Sequence, residues 1–389
     1  MIMSRLTYRT WGTDIDQEAR AQMDAAISLP VAVAGALMPD AHVGYGLPIG
    51  GVLATEDAVI PYGVGVDIAC RMMMTIFDVP PSALNTHRDL YKSAIEKNTR
   101  FGVGVEWKQP KSHPVMDEDW NITKVTRDLK DKAHRQLGTS GSGNHFVEFG
   151  EIEFEEDSPA VKAGSYLALL SHSGSRNVGA QVAGYYTRVA KQLHPELEGA
   201  ARNLAWLNLR DEGAEYWAAM ELMGKYASAN HHVIHDSIVQ FLAHDVLQQI
   251  ENHHNFAWRE KHNGRDVIVH RKGATPAGKG VLGIIPGSMA TPGYLVEGLG
   301  NKDSLTSTSH GAGRRMSRKA AMKRFTWQET KEFLQKQGVE LLSAGLDEVP
   351  WAYKNIHDVM NAQLTLARPI AKFMPRLVKM APSGERPED

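Results

Sequence analysis

Apolar residues recur at helical intervals along several long stretches of the chain, which alternate with short apolar runs. The segments with helical character are 14–28, which has an acidic start, 82–98, 121–137, 180–192, 212–257, 317–326, 327–337 and 349–373. Short apolar runs bounded by glycine, proline or polar turns predict strands at 50–55, 71–77, 146–149, 166–170, 266–270 and 281–285.

This order predicts an α/β fold of the mixed, α+β kind. We expect a single large domain over 1–389, with a sheet core, helical decoration and a helical insertion at about 180–257. No internal repeat, low-complexity segment or clear linker interrupts the chain, so composition gives no reason to divide it.

Composition narrows the class of protein. Hydrophobic residues make up 42% and charged residues 23%, as in ordinary globular proteins, and the net charge is −2. Any contact with nucleic acid must therefore come from a local basic patch. A single cysteine excludes an internal disulfide, and neither a signal pattern nor a long apolar run is present. We expect a cytoplasmic protein with no membrane association.

Three histidines end apolar strands beside small or basic turns: His145, His172 and His270. Asp67 and Cys70 add a carboxylate and a thiolate three residues apart. Strand ends can aim side chains into one pocket, so these five residues could hold two divalent ions, with the thiolate bridging them. Thiolate and imidazole favour zinc, whereas the carboxylate shifts the balance towards manganese or iron.

Each of these residues also has a purely structural interpretation. A lone cysteine is often a small buried apolar residue, and a histidine at a strand end is often a hydrogen-bonding one. The pairs His231/His235 and His253/His254 fall on the predicted helix 212–257, and we assign them no metal role.

A late stretch combines a histidine, small residues and a basic run. His310 is followed by Gly311, Ala312 and Gly313, and then by arginines and lysines. Small residues let a ligand approach the backbone, a helix start offers free N–H groups, and arginines pair with phosphate. This pattern predicts a phosphate site with His310 as nucleophile, although a glycine turn leading into a solvated basic helix fits equally well.

Two further loops carry candidate chemistry. Asp40 and His42, in a loop rich in glycine and proline, could bind substrate or support other ligands, or could simply shape a rigid turn. The loop 286–294 offers backbone donors and the Ser288 hydroxyl to a phosphate or a base edge.

Taken together, these stretches resemble the RtcB-type RNA ligases, which join RNA 3′-phosphate or 2′,3′-cyclic phosphate ends to 5′-hydroxyl ends. Between Met38 and Arg318 the segments that carry the resemblance follow the family's order: MPDAHVGYGLPIGG, GVDIAC, LGTSGSGNHFVE, HSGSRNVG, VHRKGAT, PGSMATPGY and SHGAGRRMSR. One such segment is weak evidence, whereas seven in order are specific.

The resemblance implies a largely antiparallel sheet core, GTP as co-substrate and two Mn²⁺ ions. His310 matches the histidine that becomes guanylylated. The implied metal ligands, with the thiolate shared, are Asp67, Cys70, His145, His172 and His270. The implied nucleotide contacts are Asn144, His145, Phe146, Glu148, His270, Pro286, Ser288, Met289, Gly293, His310, Gly311, Ala312, Gly313 and Lys379.

The resemblance also implies the partners: GTP and RNA with the ends named above, in tRNA splicing or RNA repair. An activating protein is not identifiable from the sequence. The alternative function is a dinuclear metal-dependent RNA phosphoesterase that uses the same ligands without a covalent histidine.

The sequence departs from the family pattern around two motifs. Ala69 and Arg71 flank the cysteine where glycines are usual, so Arg71 could alter metal affinity or contact a terminal phosphate. Ala290 and Gly293 replace the more usual glycine and serine, which puts one nucleotide hydrogen bond in doubt.

Overall fold

Seventeen strands and ten α-helices make up the part of the chain that the computed structural model describes, residues 6–384. Residues 1–5 and 385–389 of the predicted domain lie outside the described residues. In chain order, strands β1 to β17 are Arg9–Thr10, Ala32–His42, Ile49–Thr55, Ala58–Val59, Arg71–Phe77, Phe146–Phe154, Gly164–Ser173, Leu207–Asn208, Val246–His253, Phe256–His262, Arg265–Lys272, Ala274–Pro276, Leu282–Ile285, Gly293–Gly298, Ser307–Ser309, Glu340–Ser343 and Ala367–Met380. Helices α1 to α10 are Gln17–Ile27, Pro61–Val64, Ser82–Thr86, Arg88–Asn98, Lys124–Gln136, Arg176–Leu193, Glu212–Leu242, Arg318–Arg324, Trp327–Lys336 and Ile356–Ala362.

Two sheets organise the molecule. The larger has the order β13-β14-β17-β6-β7-β5-β9, with β16 beside β17, and the second has the order β1-β2-β3-β11-β10. All pairings in these sheets are antiparallel except β1 with β2 and β16 with β17. The mixed fold with a largely antiparallel sheet core is therefore confirmed.

The larger sheet buries apolar side chains on both faces, because successive strand residues point to opposite sides. Leu169 packs with Phe149 and Ile234 on the face covered by α4 and α7. Leu170 packs with Met72 on the opposite face. This alternation decides which side chains of β5, β6 and β7 face the helices and which face the cavity described below.

The predicted helix 212–257 is correct only as far as Leu242. There the chain turns at Ala243, whose φ of 52° lies in the left-handed region. Strand β9 follows and pairs along its length with β5, with His253 opposite Arg71. The polar character of β9 reflects an exposed sheet edge, so its local pattern did not reveal the tertiary pairing. The predicted helical insertion thus ends before β9.

The predicted helix 349–373 is also largely wrong. It contains a 3₁₀ turn at Pro350–Ala352 and the short helix α10, and then becomes β17 in the middle of the larger sheet. Pro369 cannot lie inside a helix without breaking it, and Pro375 falls where the pairing of β17 with β6 shifts register. A proline at an irregular point of a strand loses no ladder hydrogen bond.

Other predictions are confirmed. Helix α1 begins after Asp16, whose carboxylate accepts the Glu18 N–H at 2.7 Å, and the strand predicted at 71–77 has those bounds. Within residues 6–384, no helix combines the length and apolar character needed to cross a bilayer.

Candidate metal centre and nucleotide pocket

Four side chains meet because adjacent antiparallel strands of the larger sheet begin or end at one place. Cys70 immediately precedes β5, and His145 immediately precedes β6. His172, near the end of β7, is opposite both Phe146 and Met72 in the strand register. His254 directly follows β9 and donates its backbone N–H to the Cys70 carbonyl at 2.9 Å.

The side chains form two groups that share Cys70: one with Asp67 and His145, the other with His172 and His254. The Cys70 Sγ lies 3.4 Å from His145 Nε2 and 3.1 Å from His172 Nε2. His145 Nε2 is 3.1 Å from Asp67 Oδ2, and the Nε2 atoms of His172 and His254 are 3.2 Å apart. All five residues are buried.

Hydrogen bonds on the far side of two rings fix their tautomers. His145 Nδ1 is 2.8 Å from the Ser140 carbonyl, and His172 Nδ1 is 3.2 Å from the Asn144 carbonyl. A carbonyl only accepts, so in a neutral ring the proton lies on Nδ1 and the Nε2 lone pair faces the cluster. Backbone partners of this kind are what metal-ligating histidines use.

Burial keeps His172 and His254 neutral. It lowers the pKa of His172 to about 3 and the pKa of His254 well below its usual range, with neighbouring histidines adding to both effects. Burial raises the pKa of Asp67, but its buried neighbours, the Arg176 guanidinium among them, outweigh burial and keep the carboxylate ionised.

In the cluster, two hydrogen-bond acceptors therefore face each other. Because the His145 proton is on Nδ1, its contact with Asp67 Oδ2 is not a hydrogen bond, and that oxygen is buried with no hydrogen-bond partner in the described structure. Lone pairs facing one another at about 3 Å repel unless a cation lies between them. The donor set of carboxylate, thiolate and imidazoles thus fits divalent ions.

His270 was predicted as a metal ligand and nucleotide contact, and the structure contradicts both roles. It lies in β11 of the second sheet, where its Nε2 accepts the Ile60 N–H at 2.9 Å and its Nδ1 lies 3.2 Å from the Leu53 carbonyl. Burial lowers its pKa to about 4. Both ring nitrogens are occupied by backbone, and His254 occupies the position expected of His270 in the cluster.

His310 lies beside the second group. Its ring centroid is 4.9 Å from that of His254, and its Nδ1 is 2.7 Å from Asp40 Oδ2, which also accepts the His310 backbone N–H at 3.2 Å. Asp40 is fully buried at the end of β2, so the carboxylate fixes the orientation of the ring. Of the two roles suggested for Asp40, the structure supports that of a supporting residue, and the group it supports is His310.

A cavity opens in front of both groups and His310. The lining residues among the predicted nucleotide contacts are Asn144, His145, Phe146, Glu148, Pro286, Ser288, Met289, Gly293, His310, Gly311, Ala312 and Gly313. Burial raises the pKa of Glu148 well above its usual range.

Lys379 does not line the cavity, although Val378 and Met380 on either side of it do. Side chains alternate along β17, so the lysine points to the other face, where its Nζ lies 6.0 Å from the centre of the Phe101 ring. The predicted guanine contact by Lys379 is therefore not supported.

Lys272 is a cavity residue that the sequence reasoning missed. Its Nζ donates to the Tyr45 carbonyl at 2.6 Å and lies 3.2 Å from the Tyr62 carbonyl, and burial lowers its pKa to about 7. The sequence did offer one indication of this role: Lys272 lies two residues after His270, at the end of the strand β11.

The basic run after His310 divides into two sets. Arg314 and Arg318 line the cavity and pair with acidic residues: Arg314 Nη1 lies 3.2 Å from Glu348, and Arg318 Nη1 lies 2.9 Å from Asp347. The remaining cations of the run are exposed and face away from the cavity: Arg315, Lys319, Lys323 and Arg324.

Arg71 takes no part in the cavity. Its buried guanidinium donates to Glu251 at 3.1 Å and to the Gly224 carbonyl at 2.9 Å, so the predicted contact with a terminal phosphate is wrong. Ala69 has a φ of 56°, a left-handed conformation that explains why glycine is the usual residue there.

The amino-acid sequence is similar to those of known proteins along most of its length. The family model described as "tRNA-splicing ligase RtcB" matches residues 22–120 and 113–380. The chain belongs to the RtcB family. "RNA-splicing ligase RtcB" of Escherichia coli K12 is 32% identical over 395 residues, which cover 93% of each chain. "tRNA-splicing ligase RtcB" of Methanococcus maripaludis is 33% identical over 396 residues, covering 83% of this chain and 82% of its own. The RtcB matches span both ligand groups and His310.

Proposed function

We propose that the protein is an RNA ligase that uses GTP and Mn²⁺ to join RNA 3′-phosphate or 2′,3′-cyclic phosphate ends to 5′-hydroxyl ends, in tRNA splicing or RNA repair. The observation that carries the proposal is the convergence of two buried donor groups, joined by Cys70, beside the ring of His310. Membership of the RtcB family, whose relatives are named RNA ligases, supplies the reaction class.

The donor groups would hold two divalent ions. Asp67 and His145 would ligate one ion, His172 and His254 the other, and the Cys70 thiolate would serve both. Such ions supply charge neutralisation at phosphate oxygens when they are bound. The buried, neutral imidazoles of His172 and His254 are already in the protonation state that coordination requires.

Asp40 prepares His310 as the nucleophile. With its Nδ1 proton donated to Asp40, the ring keeps an unprotonated Nε2. This nitrogen attacks the α-phosphorus of GTP, a P–N bond forms, the bond to the bridging oxygen breaks, and pyrophosphate leaves. The carboxylate stabilises the positive charge that develops on the imidazole, as in other histidine–carboxylate pairs.

The guanylyl group then passes to RNA, where water has first opened any 2′,3′-cyclic phosphate by breaking its bond to O2′. An oxygen of the RNA 3′-phosphate attacks the phosphorus held by His310, the P–N bond breaks, and the neutral ring is restored. The 5′-hydroxyl next attacks the activated 3′-phosphorus, passes its proton to solvent water and displaces GMP. Arg314 lines the cavity and provides positive charge for these phosphates. Lys272 also lines it, and a phosphate beside it would favour its charged form, since burial alone lowers its pKa to about 7.

The backbone after His310 allows the close approach that these steps need. Gly313 has a φ of 74°, and a Cβ placed there would lie 2.1 Å from the Asp40 carbonyl oxygen. Only glycine fits this position, so the tight turn that holds His310 against Asp40 depends on it.

Glu148 is the strongest candidate for guanine recognition. It is a buried carboxyl group in the cavity wall, and two carboxylate oxygens can accept the N1–H and N2–H of guanine. Ionisation would cost little once these donors are present, because hydrogen bonds to the charged form offset burial.

Labelling with α-³²P-GTP and Mn²⁺ tests the proposal. We expect an acid-labile label on the wild-type protein, none on His310→Ala, and labelling of Asp40→Asn that is slower by roughly 10²- to 10⁴-fold. An unlabelled wild-type protein that opens cyclic phosphates without GTP would instead establish the phosphoesterase alternative.

A further inference from the structure

We propose that a surface groove next to the cavity binds the single-stranded RNA segment that leads to the reacting end. The groove lies between α8, α9 and the turn Pro350–Ala352, and its walls include Arg315, Arg324, Phe333 and Trp351. This inference rests on the proposed function, since it identifies where the RNA substrate of that site is held.

The first support is charge. Residues 314–336 contain eight arginines and lysines against two glutamates, a net charge of +6 in a chain whose net charge is −2. Arg315, Lys319, Lys323 and Arg324 are exposed and make no ion pair within the described residues. A cluster of free cations on an otherwise near-neutral protein is the electrostatic signature of a polyanion site.

The second support is aromatic surface inside this basic patch. The ring of Trp351 lies 5.2 Å from that of Phe325, at an interplanar angle of 28°, and 5.0 Å from that of Phe333. The Arg324 guanidinium lies 5.5 Å from the centre of the Phe325 ring. Partly exposed aromatic rings among cations suit unpaired bases, which stack on the rings while the phosphates meet the charges.

The third support is continuity with the cavity. Arg314 and Tyr353 form an antiparallel bridge, and the Arg315 N–H donates to the Ala352 carbonyl at 2.9 Å. Arg314 and Tyr353 line the cavity, whereas Arg315 and Trp351 line the groove. An RNA strand with its terminal phosphate near His310 can therefore cross this bridge directly into the groove.

The acidic residues of the groove are outnumbered by its cations, because Arg315, Arg324 and Lys336 line it with Glu329 and Glu332. Glu329 accepts the Thr326 N–H at 3.1 Å and the Thr326 hydroxyl at 2.7 Å, so it caps the start of α9. Glu332 accepts a hydrogen bond from Gln328 at 3.2 Å. Both carboxylates have partners within their own helix.

The test is direct binding of a fluorescent single-stranded RNA with a 3′-phosphate, followed by anisotropy over a range of salt concentrations. For the double variant Arg315→Ala/Arg324→Ala we expect affinity to fall on the order of tenfold at ~0.1 M salt, and the slope of log K against log salt to fall by about 1.4. The control variant Lys331→Ala, which removes a single exposed charge on α9 outside the groove, should leave both values unchanged.

Stacking is tested separately with Trp351→Leu. We expect weaker RNA binding by roughly fivefold or more with little change in salt slope, because a base contact is lost and a phosphate contact is not. Trp351 also packs against its neighbours, so thermal unfolding is measured to confirm that the variant is folded. If Trp351→Leu does not fold, the double variant Arg315→Ala/Arg324→Ala, whose side chains are exposed, tests the groove assignment by itself.

Labelling by GTP separates this inference from the proposed function. Guanylylation needs no RNA, so both groove variants and the Lys331→Ala control should be labelled at the wild-type rate. Unchanged RNA affinity and slope in the arginine double variant would overturn the groove assignment even if labelling succeeds. Displacement of the RNA by an acidic peptide at equal charge concentration would also overturn it, in favour of a protein partner.

Discussion

Two sets of buried histidines lie on opposite faces of the larger sheet, and they behave differently. His172 faces the cavity, whereas its neighbour on β7, Ser171, faces α7. On the α7 side, His235 Nδ1 is 2.7 Å from the Thr75 hydroxyl, and its Nε2 is 2.8 Å from the Ser171 hydroxyl. On the cavity side, His172 Nε2 faces a sulfur and another imidazole nitrogen.

The difference lies in the opposing atom. Burial lowers the pKa of His235 and of His172 alike to about 3, so neither burial nor pKa separates the two sets. A hydroxyl group both donates and accepts, so it can satisfy a neutral ring of either tautomer. On the cavity side, by contrast, the Cys70 sulfur and the ring nitrogens of His172 and His254 face one another, and these are the donor atoms that a soft divalent ion prefers.

Substitution on the two faces should give opposite outcomes, and this is the largest expected effect. Cys70→Ala removes the donor that both groups share, so guanylylation and ligation should fall on the order of 10³-fold or more. Ser171→Ala should lose about 1–3 kcal/mol of unfolding free energy, because it strips a partner from buried rings, and should keep its activity. Rates at saturating Mn²⁺ and urea unfolding measure the two effects. Equal activity in the two variants would contradict the claim that only the cavity face of the sheet takes part in the reaction.

Lowering the pH should reduce the free energy of unfolding through His235, one of the histidines on the α7 face. The pKa of His235 is about 3 in the folded protein and 6.5 in the unfolded chain, so the unfolded chain binds the proton first as pH falls. The contribution of His235 is thus fully present above about pH 6.5 and is lost towards pH 3, by up to about 1.4 kcal/mol per pH unit.

The variant His235→Gln isolates this contribution. Urea unfolding between pH 7 and pH 4 should show a shallower loss of stability than in the wild-type protein, because one buried ring no longer titrates. Parallel curves would mean that His235 is already protonated, or exposed, in the folded state.

Local sequence patterns predicted those parts of the fold that are determined by near neighbours. Strand β5 and helix α1 follow from periodicity and an aspartate cap, and the small residues after His310 indicated the tight turn correctly. Strands β9 and β17 were missed because long-range pairing determines them: β9 is polar along an edge, and β17 contains two prolines.

Errors in the site followed from those errors in the fold. The prediction that His254 has no metal role is wrong because its segment is not helical: His254 directly follows β9 and so lies at a strand terminus, as His145 and His172 do. His270 met the same local criterion, and only the backbone groups of Ile60 and Leu53, far away in sequence, reveal that its ring is already occupied. The pairing of Arg314 with Glu348 is likewise invisible in a local motif.

Manganese stoichiometry of the purified protein tests the central claim most directly. Equilibrium dialysis followed by elemental analysis should find two ions per chain in the wild-type protein and in His270→Ala, and one in His254→Ala. Fewer than two ions in the wild-type protein, or a loss with His270→Ala but none with His254→Ala, would contradict the site described here.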